Sequence, residues 1–302
     1  MKIYCPDIEC DSCIKVISKT LEKSGINNFK INQDSIDLDS KGEEEKVLSL
    51  IREKGYRAGL EPFERKTFSE RFRDFRQNKG KYVTEYKMLK YSALTFILLL
   101  VLEFIIYNLF FKSQPGFLQN YGWWIFYATL AVVSIGTSIW HIKSYVVKFT
   151  CMTGMMVGMT FGMQTGMMLG IILGATNGFF IGSVIGMIFA VGVGYYNGRI
   201  VGIMGVLEGM MAGVMGGVMG AMTGVMMRLD NILLFMPLFM FFNVSIMTGL
   251  SYMLFEEVVE HRPNVQKNKI KFLNFFFFCL IALLILSVLM IYGPKTGLAR
   301  VI

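Results

Sequence analysis

Cys10-Asp11-Ser12-Cys13 sets two thiols three residues apart near the amino terminus. A pair with this spacing at the start of a helix has its thiolates stabilised by the helix end, and two thiolates satisfy a soft ion such as Cu(I). A second soft-ligand pattern lies far along the chain. Between Cys151 and Met227 fall 16 of the 23 methionines and 20 of the 31 glycines. Glycine recurs every fourth residue from 154 to 186, and Met155, Met159, Met163 and Met167 each follow one of these glycines. Gly205, Gly209, Gly213 and Gly217 repeat the theme beside Met211, Met215 and Met219. A thioether can sit in hydrocarbon uncharged and still bind a soft metal, and methionines every four residues on a helix step by ~6 Å. Glu103 and Glu208 add carboxylates to apolar stretches, where an ionisable group is costly and is a functional candidate. Glu208 lies four residues after Met204 and three before Met211, so a helix brings it near the methionine face. There it could neutralise a moving cation or carry a coupled proton. His141, Cys151 and Met152 form a third candidate group where two apolar stretches meet polar sequence; the competing reading is a solvated histidine.

The elements that carry the first thiol pair read as a separate α/β domain over residues 1–62. Strands are expected at 2–5, 29–31, 36–38 and 56–60, and helices at 13–23 and 43–54. The first helix has Ile14, Val16, Ile17 and Leu21 as its apolar residues and Gly25 as its stop; the second has Val47, Leu48 and Ile51 and stops at Gly55. The order is βαββαβ, the ferredoxin-like arrangement.

Asp-Ile-Glu-Cys-Asp-Ser-Cys at 7–13 resembles the metal loop of heavy-metal-associated (HMA) domains, the fold of copper chaperones and of the amino-terminal modules of copper ATPases. Ile8 stands where that family has methionine, and Gly55-Tyr56 matches its Gly-Tyr near the last strand. Asp7 replaces a common glycine, and Cys5 and Pro6 depart from the usual first strand. The resemblance covers about residues 1–62. It implies that Cys10 and Cys13 bracket a loop entering the first helix, that Tyr56 packs beside this loop, and that the pair holds Cu(I) two-coordinate, open to an incoming ligand from a copper chaperone or ATPase. Ag(I), Hg(II) and Zn(II) remain alternatives, as do a thioredoxin-type redox pair and purely structural cysteines. The element order lacks the thioredoxin pattern.

Mean hydropathy of +0.50 and 54% hydrophobic residues are too apolar for a soluble protein of 302 residues. Seven stretches of about the ~20 residues needed to cross a bilayer follow: 91–111, 122–143, 151–174, 178–198, 203–227, 231–254 and 270–292. The expected fold is thus a small ferredoxin-like domain, a linker at 63–90, and an all-α polytopic membrane domain at 91–302 with a Gly/Met core at 151–227, part of which could be re-entrant. The linker holds nine Lys/Arg against four Asp/Glu, with Phe68, Phe72 and Phe75 on one helical face; it suits an anionic lipid surface or docking on the membrane domain. The net charge of +8 sits beside apolar stretches, where it sets topology and does not point to nucleic acid. The linker, Lys143, Lys148, Arg199 and the 256–271 loop fall on one side. This predicts a cytosolic amino terminus and a carboxyl terminus outside, in a cell membrane. Five cysteines, an odd number, make no disulfide framework.

Glycines every four residues permit close helix approach, within the chain or between copies, and a period above 3.6 favours right-handed crossing. The Met-x-x-x-Met and Gly-x-x-x-Gly combination is similar in type to that of Ctr copper transporters, which are three-span trimers, so the likeness is one of motif. No Asp-Lys-Thr-Gly phosphorylation motif, Walker loop or intramembrane Cys-Pro-Cys occurs. The expectation is a non-enzymatic membrane protein that moves a soft metal, Cu(I) foremost, without its own ATP site. The alternative is a metal sensor or scaffold in which glycine and methionine serve packing alone.

Overall fold

The computed structural model describes residues 2–6, 8, 11–26, 28–32, 34–38, 44–53, 56–62, 70, 73, 77, 82–112, 114, 116–145, 151–200, 202–256 and 271–295, without the side chains of Asp11, Ser12, Glu44 and Cys151. The chain divides into two compact units, 1–81 with 147–154, and 82–146 with 155–302.

In the first unit, strands β1 (Lys2–Tyr4), β2 (Phe29–Asn32) and β3 (Ser35–Leu38) form an antiparallel sheet in the order β1-β3-β2. The β2–β3 hairpin pairs Phe29 with Leu38 and Asn32 with Ser35, and Asp34 at its tip has φ 64°. Helices α1 (Asp11–Lys23) and α2 (Glu44–Glu53) pack on one another. Cys13, Ile17 and Leu21 recur every fourth residue and form the buried stripe of α1, while Val16, another of its apolar residues, is exposed. The helix ends where sequence places its stop. Gly25 takes φ 82°, its N–H donates to the Glu22 carbonyl at 3.0 Å, and the Ile26 N–H donates to the Leu21 carbonyl at 3.1 Å, a glycine cap closed by the buried Leu21–Ile26 pair. Val47, Leu48 and Ile51 face the core, as their spacing predicts. The fourth strand is reduced to a single bridge between Tyr4 and Gly59 on the side of β1 away from β3. The Ala58 carbonyl is taken by Arg52, whose Nε and Nη2 donate at 3.1 and 2.8 Å, so it is engaged by a side chain and not by a strand ladder. The described sheet is therefore three-stranded and smaller than expected.

Among the described residues, seven helices are long and apolar enough to cross a membrane. They are α3 (Val83–Ile106), which continues through a wide turn to Phe111, α4 (Trp123–Ser144), α5 (Cys151–Asn177), α6 (Phe179–Gly198), α7 (Ile203–Met227), α8 (Ile232–Phe255) and α9 (Phe272–Tyr292). The first begins at Val83, inside the segment read as linker. Residues Phe68, Phe72 and Phe75, Gly55 and the 257–270 loop lie outside the described residues. The Gly/Met segment consists of three full-length helices.

Two packing modes coexist. The helix α4 packs against α3, α8 and α9 with side chains. Met236, Met240, Asn243 and Met247 make the buried stripe of α8, and Phe275, Cys279, Leu283, Leu286 and Met290 that of α9. Gly136 of α4 admits Cys279, whose sulfur lies 3.0 Å from where a Cβ would stand. By contrast, α5, α6 and α7 meet backbone to backbone. A Cβ on Gly158 would lie 2.6 Å from the Gly205 carbonyl oxygen, one on Gly170 2.7 Å from that of Gly217, and one on Gly213 2.7 Å from the Val191 nitrogen. The α5–α6 connection is the single residue Gly178 at φ 102°. The chain reverses there, and Gly182 and Gly186 of α6 return to face Gly174 and Gly170 of α5.

Candidate soft-metal sites

Cys13 owes its position to helix geometry. It sits on the core stripe of α1, 2% exposed, in one cluster with Cys5, Ile8 and Tyr56. Its thiol is therefore shielded from water, near the start of α1. Cys10 lies outside the described residues. Cys5 at the end of β1 is fully buried in this cluster, and neither Cys5 nor Cys13 forms a disulfide. Among the described residues no three His, Cys, Asp or Glu side chains gather as a metal-holding group.

The methionines divide by their offset from the glycine files. On α5, Met155, Met159, Met163 and Met167 stand one residue after a packing glycine, about 100° round the helix. Three of them are half-buried, and Met159 is 50% exposed. On α7, Met211, Met215 and Met219 stand two residues after Gly209, Gly213 and Gly217, about 200° round. They are 61%, 55% and 45% exposed, on the outer face of the bundle. A Cβ on Gly209, Gly213 or Gly217 would meet α6, whereas one on Gly216, Gly220 or Gly224 would meet α5, so Met215 and Met219 stand one residue before glycines that face α5 and are exposed all the same. Where methionine approaches the seam it does so with backbone: a Cβ on Gly216 would lie 2.5 Å from the Met163 carbonyl oxygen, and one on Gly220 2.7 Å from that of Met167. The buried methionines are others, Met88, Met168, Met236, Met240, Met247 and Met290, and their role is packing.

Glu208 is half-buried on α7, without a hydrogen bond or ion pair among the described residues, between exposed Met204 and Met211. The expected proximity to the methionine face is present, and that face is the outer one. Glu103 accepts a hydrogen bond from Thr129 of α4, so an interhelical bond accounts for it. Met152 is exposed, and the side chain of Cys151 lies outside the described residues.

His141 differs from a solvated interfacial histidine. It is buried, with Nε2 3.9 Å from Oε1 of Glu85 on α3, and Tyr145 donates its phenolic hydrogen to the same carboxylate. Burial, reinforced by this carboxylate, raises the Tyr145 pKa and keeps the phenol protonated. Glu85 Oε2 and His141 Nδ1 have no hydrogen-bond partner among the described residues. Sequence reasoning missed this carboxylate–imidazole–phenol cluster because Glu85 stands among nine cations in what reads as a linker. The available signal was His141 and Tyr145 at a four-residue spacing.

No family model matches the chain, and no curated protein or solved structure matches it.

Proposed function

We propose that this integral membrane protein binds a soft metal ion, Cu(I) foremost, through Cys10 and Cys13, and that its Gly/Met helices pass the ion across the bilayer. The observation that carries the reading is the placement of Cys13 on the buried stripe of α1, beside the start of the helix, in a small α/β unit. Its element order and the β1-edge bridge to Gly59 suit a ferredoxin-like domain of the heavy-metal-associated type. Two thiolates meet the needs of Cu(I), whereas Zn(II) takes four ligands. The α5 sulfurs on the flank of the glycine seam offer successive soft sites, and tight binding by the thiolates on the cytosolic side would trap an inward-moving ion. Export, by transfer from the thiolates to Cys151 and Met152, is the opposite direction of the same reading. The test is metal flux into vesicles loaded with a Cu(I) reporter, using the parent and Cys10→Ser/Cys13→Ser. Flux in the parent with loss of trapped metal in the variant supports it; no flux in the parent rejects transport.

One observation favours a second reading, in which the protein is a metal sensor or scaffold and the Gly/Met region serves assembly. The α7 methionines face outward, as packing or lipid-facing residues would, and not toward α5. In that case the vesicles show no flux while Cys10 and Cys13 still bind metal.

A further inference from the structure

Two buried files of the first unit end on a thiol. Along β1 the inward residues alternate, Ile3 and then Cys5, and both are 0% exposed. Along α1 the inward residues step by four, Leu21, Ile17 and then Cys13. Only residues 5–10 connect β1 to α1, so the close of one element and the opening of the other lie at the same end of the core. The two files also advance alike: two strand residues rise about 6.6 Å, and four helical residues about 6 Å. Cys5 is thus level with Cys13, as Ile3 is with Ile17. Cys5 is also fixed by its backbone. Its N–H donates to the Asp34 carbonyl at 2.9 Å, and its carbonyl accepts from the N–H of buried Ile8 at 3.3 Å. Neither Cys5 nor Cys13 is spent in a disulfide. A strand position that served packing alone would favour a β-branched residue such as Ile3; a cysteine there adds a soft donor to the same end of the core.

We propose that Cys5 is a further sulfur ligand of the soft-metal site, joining Cys13 from the buried side. The inference rests on the reading that thiols of this unit bind Cu(I), and it extends that site inward. Sulfur donors select Cu(I), and a third sulfur closes the coordination that a thiol pair leaves open. The unit then holds its ion against competing ligands, the behaviour of a trap or a sensor and not of a relay.

The chain has five cysteines, so the full chain with Cys151→Ser and Cys279→Ala keeps Cys5, Cys10 and Cys13 as its only thiols. It is produced with selenomethionine, so that a methionine ligand registers as selenium. It is then loaded in detergent with one equivalent of Cu(I) without oxygen and measured by X-ray absorption at the copper edge. Three sulfur neighbours are expected, falling to two when Cys5→Ala or Cys5→Val is added. These two changes alter volume in opposite directions, so an effect common to both belongs to the lost sulfur. Each should weaken binding against a Cu(I) chelator by at least ~10-fold, the least that loss of an outer-shell partner costs. Two sulfurs in the three-thiol chain, with binding lost in Cys10→Ser/Cys13→Ser, overturn the role of Cys5 and leave the thiol-pair reading standing. Selenium neighbours without sulfur, or binding unaltered in Cys10→Ser/Cys13→Ser, overturn both. Three sulfurs that persist in the Cys5 variants also overturn the proposal. Should neither Cys5 variant fold, the sulfur count of the three-thiol chain decides by itself.

Discussion

The helices α5 and α7 use the same two residue types and pack through the same kind of face, yet they present their sulfurs to different surroundings. The α5 file is mostly half-buried; the α7 file is exposed, although Met215 and Met219 stand one residue from Gly216 and Gly220, which face α5. The shared feature is backbone contact. Gly209 is its centre, since a Cβ on either Gly162 of α5 or Gly194 of α6 would overlap the Gly209 carbonyl. The lesson is that Gly-x-x-x-Gly governs how close helices come, while the exposure of the adjoining methionines is set separately, by what else packs on that side of each helix.

The largest expected effect tests the common seam. Gly162→Leu and Gly209→Leu each place a side chain where backbone already stands, so the cost should exceed the ~1–3 kcal/mol of ordinary overpacking. Little monodisperse protein should survive in detergent. Gly192→Leu, which meets open space, should keep the parent's thermal stability; equal damage from all three would sink the account of the seam.

A change in Cys10 and Cys13 separates the thiolate unit from both ladders. Cys10→Ser/Cys13→Ser should lower Cu(I) affinity by at least ~100-fold, the upper range for loss of a mere second-sphere partner. Competition with a Cu(I) chelator measures it. Retained affinity would shift the soft-metal site to the methionines.

Changing Met155, Met159, Met163 and Met167 together to leucine keeps volume and should cost less than ~1.5 kcal/mol per site. If α5 conducts, this folded variant loses vesicle flux while the thiolates still load. Parental flux would end the conduction role of α5.

The smallest structural effect belongs to Met211, Met215 and Met219. As exposed residues, each should change stability by no more than ~0.5 kcal/mol on replacement by leucine. Flux should also persist. Loss of flux here, with α5 changes silent, would reverse the comparison and move the ion path to the outer face of α7, where a second copy would have to complete it.

Much of the fold was legible because it follows from local composition. Seven apolar stretches became seven spanning helices, since length and hydropathy suffice for that inference. The glycine cap at Gly25 and the inward trio Val47, Leu48 and Ile51 were readable from spacing. The fourth strand was not: only the Tyr4–Gly59 bridge forms, with Arg52 holding the Ala58 carbonyl on the side away from β1. The start of α3 was also hidden, since Glu85, Lys87 and Lys90 read as linker charge although Glu85 is drawn into the bundle by His141 and Tyr145. Among site residues, the burial of Cys13 followed from its four-residue step to Ile17 and Leu21. The outward aim of the α7 sulfurs was not legible, because α7 carries two glycine files that face two different helices and spacing does not say which.

Sequence alone established a polytopic apolar chain, a thiol pair in a small α/β domain and glycine files fit for close packing, because hydropathy and helical period act residue by residue. The fold added which glycines touch which backbones and which methionines flank the seam. These depend on long-range pairing of helices, where a glycine leaves room for any neighbour and names none.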